Sequence, residues 1–215
     1  MEVENANQIW LYLSDVKDGR STEDRLRRAV YQCCETKHHI KIVGSEEQIK
    51  IARTDRGKPY LADYPQIHVS VSHSGAWCVC AVAETPVGVD IQEHVRMEGE
   101  SIEEASQRFR RMAHRFFHPI EAAFVDEESY YRFFGVWAAR ESYVKYTGKG
   151  IDASFSEFCV IPEKKDRQPE LGEMSKANIW QAEGVSFWET RYQNDYTLCV
   201  CAKTSNLFID KMEMI

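Results

Sequence analysis

The chain has 215 residues, of which 43% are hydrophobic and 28% charged, and its formal net charge is −7. That length suits one large domain or two small units sharing a core, and the acidic balance argues against bulk binding to nucleic acid or to an anionic membrane. No apolar run approaches the ~18 residues of a membrane span, and Met1–Trp10 lacks the basic-then-apolar order of a signal peptide, so a cytoplasmic monomer with no membrane partner is expected.

In chain order, Ile9–Leu13 reads as a strand and Asp24–Cys34 as a helix with Leu26, Val30 and Cys33 on one face. His39–Val43 and Ile49–Arg53 are short strand candidates, and Asp55–Pro59 is a turn by its Gly and Pro content. Ile67–Ser72 alternates, with Ile67, Val69 and Val71 facing one way and His68, Ser70 and Ser72 the other. Trp77–Val82 and Val87–Ile91 read as buried strands. Ser101 and Glu104 form a capping box, and Ile102, Ala105, Phe109, Met112, Ala113 and Phe116 mark one helical face. Pro119 opens a short helix, and Ser129–Tyr146 is a further helix ended by Gly148. Glu163–Ala177 reads as a loop. Val185–Tyr192 and Tyr196–Ala202 form a hairpin around Asn194-Asp195. Strands and helices mix without a βαβ rhythm, which makes the class α+β.

A weak internal echo, Trp77-Cys78-Val79-Cys80-Ala81 against Leu198-Cys199-Val200-Cys201-Ala202, fits a chain of two similar halves, 1–100 and 101–215. The seven cysteines include no Cys-x-x-Cys spacing, so reduced, mostly buried thiols are expected. A zinc site from Cys78, Cys80, Cys199 and Cys201 is the competing reading. It is disfavoured because zinc knuckles use Cys-x-x-Cys-type loops and these cysteines sit in apolar runs.

Three segments carry chemistry. In Val87–Gln92, Asp90 lies in the middle of an apolar strand, an unfavourable place for a carboxylate unless something offsets its desolvation. A hard cation would do so, with Asp90 and Gln92 presenting two oxygens at a spacing of two; a hydrogen bond to a nearby turn is the plainer alternative. In Tyr130–Lys149, a helical stripe of Tyr130, Phe134, Trp137, Glu141 and Lys145 leads from aromatic residues into an acid and a base. A surface Glu–Lys pair is the alternative there. In Val71–Trp77, serines and His73 at a strand end before Gly75 suit a phosphate, or form a plain hairpin turn.

Taken in order, Gly57-Lys58-Pro59, Val71-Ser72-His73-Ser74 with Trp77, Val87-Gly88-Val89-Asp90-Ile91, Arg115-Phe116-Phe117 with Glu121, and Trp137–Lys145 through Gly148-Lys149-Gly150 span residues 55 to 150. This combination resembles the longer, two-halved Sfp-type 4′-phosphopantetheinyl transferases. The resemblance implies two α+β halves related by a pseudo-twofold axis with the active site between them. It also implies transfer of 4′-phosphopantetheine from coenzyme A to a serine of an acyl or peptidyl carrier protein, releasing 3′,5′-ADP. In that scheme Asp90, Glu141 and Gln92 hold Mg²⁺. Lys58, Ser72, His73 and Lys145 bind coenzyme A phosphates. Glu141 takes the serine proton, and Lys145 also steadies the leaving group.

The chain departs from the family pattern where many bacterial members carry a second acid, here Gln92, and where a lysine usually precedes the catalytic acid, here Arg140. The N-terminal region is short, with Arg20, Arg25, Arg27 and Arg28 as candidates for the coenzyme-binding bases. A catalytically impaired module that binds coenzyme A or a carrier protein is the alternative function, and an unrelated α+β domain is the third. Arg96 and Arg108-Phe109-Arg110-Arg111 are candidates for the carrier surface, or simply a solvated helix face.

Overall fold

A computed structural model describes residues 8–36, 42–150, 153–162, 177–203 and 208–215. The first strand, β1 (Gln8–Asp15), runs into a short 3₁₀ turn and then α1 (Thr22–Thr36), which buries Leu26, Ala29, Val30 and Cys33. A two-stranded ribbon follows, β2 (Ile51–Arg53) with β3 (Pro59–Leu61), joined by the turn expected at Gly57, whose φ is +83°. The next three strands are β4 (His68–Ser74), β5 (Trp77–Ala83) and β6 (Val87–Glu93). Helices α2 (Ile102–Phe116), α3 (Pro119–Glu127) and α4 (Ser129–Thr147) come next, then β7 (Asn178–Ala182), β8 (Val185–Tyr192), β9 (Tyr196–Ala202) and β10 (Phe208–Met214). The mixture is α+β.

Helix boundaries follow from the local chemistry. Ser101 Oγ accepts from Glu104 N while Glu104 returns a carboxylate oxygen to Ser101 N at 2.9 Å, so two of the backbone donors at the start of α2 are satisfied. Pro119 starts α3, and Gly148 in the left-handed region ends α4.

Two four-stranded sheets result, ordered β10-β1-β5-β4 and β6-β9-β8-β7. Within them β1-β5-β4 and β6-β9-β8 share the same antiparallel arrangement, with the echoed segments on the middle strands β5 and β9. One core lies between the sheets, built from Ile9, Leu11, Val79, Ala81, Val89, Ile91, Leu198 and Val200 among others. A second packs under α1 and a third under α2, α3 and α4. The order is therefore helix, sheet, sheet, helices. Pairing crosses residue 100 in both directions, because β6 pairs with β9 and β10 lies parallel to β1.

Several expectations change. Ile102 and Phe116 lie on α2 but are 52% and 40% exposed, since only its central Ala105, Phe109 and Ala113 are covered by neighbours. Ser70 and Ser72, on the face of β4 opposite Val69 and Val71, are both buried, because β6 covers that face. The candidate strand at His39–Val43 lies outside the described residues from 39 to 41, and Ile42 and Val43 are not strand. The loop at Glu163–Ala177 lies outside them from 163 to 176. The strands β3, β7 and β10 were not anticipated. Cys78 and Cys80 face the core under α1 whereas Cys199 and Cys201 face the core under α4. Four thiols divided between two cores cannot surround one zinc ion, and no disulfide occurs among the described residues. Among the described residues no helix is long and apolar enough to cross a membrane.

Candidate functional site

The site begins with a close approach. A Cβ at Gly88 would sit 1.9 Å from Ser142 O and 2.5 Å from Tyr146 N, so the α4 backbone rests directly on β6 at that point. Only a residue without a side chain permits this contact. Two residues along the strand on the same face comes Asp90, and one turn of α4 presents Glu141 and Lys145 beside it.

Asp90 is 1% exposed and its carboxylate is held by three donors. Ser72 Oγ donates to Oδ1 at 2.7 Å, Lys145 Nζ to the same oxygen at 2.6 Å, and Gln92 Nε2 to Oδ2 at 2.7 Å. Desolvation of this acid is thus offset by an ion pair and two hydrogen bonds. Glu141 is different. Among the described residues its carboxylate has no hydrogen-bond partner, and burial, together with the charge of Asp90, pushes its pKa up to about 7.

Asp90, Gln92, Glu141 and Lys145 open into a cleft of 440 Å³ that Ser72, His73, Val71, Thr22 and Arg53 also line. A second cleft of 170 Å³ shares Arg53, Val71 and Lys145 with the first and adds Arg56, Gly57, Lys58 and Pro59. No acid lines it. The combined groove therefore holds its two acids in the first cleft only, while every charged residue lining the second is basic. Lys58 Nζ donates to Tyr146 O at 2.6 Å near the end of α4, and burial pushes its pKa down. Arg56 donates to Lys149 O, so the turn at 54–58 is tied to the end of the same helix.

All of Asp90, Gln92, Glu141, Lys145, Ser72 and His73 line one cleft, and Lys58 lines the adjoining one. Two of them differ from the sequence-based expectation in their contacts. The Ser72 proton is engaged by Asp90, and Gln92 turns its amide N–H, not its oxygen, toward that acid. Arg140 points away from the cleft altogether. It is wholly buried, paired with Glu121, donates to Phe158 O at 3.1 Å, and lies over the rings of Phe155 and Phe158.

The N-terminal arginines are also engaged elsewhere. Arg20 and Arg25 pair with Asp18, Arg27 with Glu23 and Asp24, and Arg28 with Glu46. None of the four lines either cleft. Arg53 and Thr22 line the first cleft instead. The sequence signal for Arg53 is its spacing before the Gly-Lys-Pro turn, where its Nη1 bonds Gly57 O at 2.9 Å. On the α2 side, Arg108 is held by Glu100 at 2.8 and 2.7 Å and Phe109 is buried, which leaves Arg110 and Arg111 exposed.

A divalent cation is tested by the donor set. Asp90 and Glu141 offer carboxylate oxygens, Gln92 would turn its amide to offer its own, and the Asp90 charge raises the cost of charging Glu141 while Lys145 and Arg140 oppose it. That is the environment a hard cation stabilises, and the residues fit Mg²⁺.

The model of the 4′-phosphopantetheinyl transferase superfamily matches residues 86–201, and that of a 4′-phosphopantetheinyl transferase N-terminal region matches residues 15–85. The chain belongs to the 4′-phosphopantetheinyl transferase superfamily. It is similar to a 4′-phosphopantetheinyl transferase of Bacillus subtilis, 37% identical over 109 residues, covering 48% of this chain and 43% of that protein. It is also similar to the 4′-phosphopantetheinyl transferase Sfp of Bacillus subtilis strain 168, 31% identical over 115 residues, with 54% and 48% covered. The 4′-phosphopantetheinyl transferase gsp of Aneurinibacillus migulanus is 27% identical over 202 residues, 90% of this chain and 77% of that protein. The first two matches span less than half of those relatives' own length.

Proposed function

We propose that the protein transfers 4′-phosphopantetheine from coenzyme A to a serine of a carrier protein, with Mg²⁺ and with release of 3′,5′-ADP. The observation that carries this reading is the bipolar groove. Asp90 and Glu141 line one cleft, Arg56 and Lys58 line the adjoining one, and Arg53 and Lys145 line both. A substrate with a pyrophosphate and a separate 3′-phosphate matches that spacing of charge better than a monophosphate does.

In this reading Asp90 and Glu141 hold the metal, with Gln92 as a neutral third ligand, so the site carries one less negative charge than one with a second acid at that position. Bound Mg²⁺ would neutralise the pyrophosphate oxygens and stabilise the departing bisphosphate. Lys58, His73 and Arg53 bind the phosphates of the nucleotide end, and Lys145 faces the phosphate next to the breaking bond. The carrier serine oxygen bonds to the phosphorus that bears pantetheine, the bond to the 3′,5′-ADP oxygen breaks, and the serine proton passes to Glu141. A carboxylate within reach of the serine hydroxyl is suited to accept its proton. Alignment and charge neutralisation supply most of the acceleration.

The carrier docks on the segment after Gln92 and on Arg110 and Arg111 of α2, whose positive charge suits an acidic helix. Arg96 flanks it. The chain divides into two halves by sheet, with a pseudo-twofold axis relating β1-β5-β4 to β6-β9-β8 and the active site between them, and it works as a monomer in the cytoplasm.

The test is coenzyme A carrying one label in pantetheine and another in adenine, incubated with a carrier protein and Mg²⁺. Only the pantetheine label should become carrier-bound, with the adenine label released as 3′,5′-ADP. Tight coenzyme A binding without release, across several carriers, would favour the binding-module alternative.

A further inference from the structure

An edge strand leaves backbone N–H groups without ladder partners. β6 ends the second sheet, and on the side away from β9 its donors meet serine side chains of β4. Val89 N donates to Ser70 Oγ at 3.0 Å and Glu93 N donates to Ser74 Oγ at 3.0 Å. Between them Ser72 Oγ donates to Asp90 Oδ1 at 2.7 Å. Positions 70, 72 and 74 share one face of β4 by the strand period. β4 and β6 do not pair as strands, so these serines act as a side-chain ladder between the two sheets.

We propose that Ser72 is a positioning residue for Asp90, and that the serine ladder sets the register in which His73 of β4 and Asp90 of β6 face the same cleft. This rests on the reading that Asp90 holds a divalent cation. A hydroxyl has a single proton, and the Ser72 proton lies on a carboxylate that is almost wholly buried. Turning it to a substrate phosphate would remove one of three donors from that acid, whereas leaving it in place keeps the carboxylate in one orientation. Groups that orient a metal ligand in this way change metal affinity, not the affinity for a separate phosphate. The two roles for Ser72, phosphate contact and carboxylate orientation, therefore separate by experiment.

Mn²⁺ binding to the full chain is measured by electron paramagnetic resonance without coenzyme A, and coenzyme A binding by calorimetry without metal. Wild type, Ser72→Ala and Ser72→Thr are compared. Ser72→Ala is expected to weaken Mn²⁺ binding about 10-fold while coenzyme A affinity stays within about 2-fold. Ser72→Thr, which keeps the hydroxyl, should recover most of the Mn²⁺ affinity. If Ser72→Ala does not fold, Ser72→Cys takes its place, with a loss of at least about 3-fold expected from its weak S–H donor. Unchanged Mn²⁺ binding in the variant, or loss of coenzyme A affinity instead, overturns the proposal. Wild type that binds no Mn²⁺ overturns the underlying metal reading as well, so the two failures are told apart.

Discussion

The two sides of α4 carry two acid–base pairs from residues five apart, Arg140 with Glu121 behind the helix and Lys145 with Asp90 in front, where Glu141 also stands. Behind, both partners are wholly buried. Glu121 takes further hydrogen bonds from Val160 N at 2.8 Å and His118 N at 3.0 Å, and three aromatic rings surround the guanidinium. In front, the acids open into a 440 Å³ cleft and Glu141 carries no hydrogen bond from any described residue. The contrast separates structural charge from functional charge. Asp90, like Glu121, accepts three donors but opens into the cleft, and Glu141, left without any, remains able to take a metal or a proton.

The pair behind α4 should show the largest effect on stability. Arg140→Ala leaves the Glu121 charge buried without its partner and should cost about 3–5 kcal/mol, read from denaturant melts. An Arg140→Met, Glu121→Leu double substitution should recover much of that loss. Equal loss in both variants would mean that packing around the guanidinium, and not the charge, holds this side.

In front, the effect should appear in rate and not in fold. Glu141→Ala is expected to lower carrier modification by about 10²- to 10⁴-fold with an unchanged melt at pH 5. Between the two sides lies Gly88. Gly88→Ala forces the new methyl into Ser142 O, and α4 must move off β6. Stability should fall by about 1–3 kcal/mol, and turnover by up to about 100-fold because Glu141 and Lys145 shift with the helix. Turnover unchanged by this variant would show that the site does not depend on how closely α4 rests on β6.

The raised pKa of Glu141 has a defined sign. The folded chain holds this proton more tightly than the unfolded chain, so the residue favours the fold at low pH. That advantage is lost as pH rises from about 4.5 to about 7. Without metal, Glu141→Gln should therefore be more stable than wild type at pH 8, on the order of 1–3 kcal/mol, and equal to it at pH 4. The smallest effect is expected on α2, where Arg110→Glu with Arg111→Glu should slow carrier modification several-fold and leave coenzyme A binding intact. Equal loss of both would move the docking surface elsewhere.

Much of this contrast is legible in the sequence. Asp90 stands out because a carboxylate interrupts Val87, Val89 and Ile91, and Glu141 with Lys145 because an aromatic stripe leads into them. The capping box at Ser101 and the hairpin at Asn194 are local chemistry and lie where the residues indicate. What depends on distant packing is not legible. The parallel pairing of β10 with β1 joins the two ends of the chain. The burial of Ser70 and Ser72 requires β6 to cover a face that looks polar. Arg140 reads as part of the catalytic segment, yet its direction follows from a hundred degrees of helical turn that place it opposite Glu121. Arg53 reaches the cleft because a three-residue strand carries it there, which periodicity cannot reveal.

The most direct test of the central claim is the mass of a carrier protein after incubation with the enzyme, coenzyme A and Mg²⁺, beside Glu141→Ala and metal-free controls. A gain of one phosphopantetheine, absent from both controls, is expected. A gain that persists in Glu141→Ala, or without metal, would contradict it.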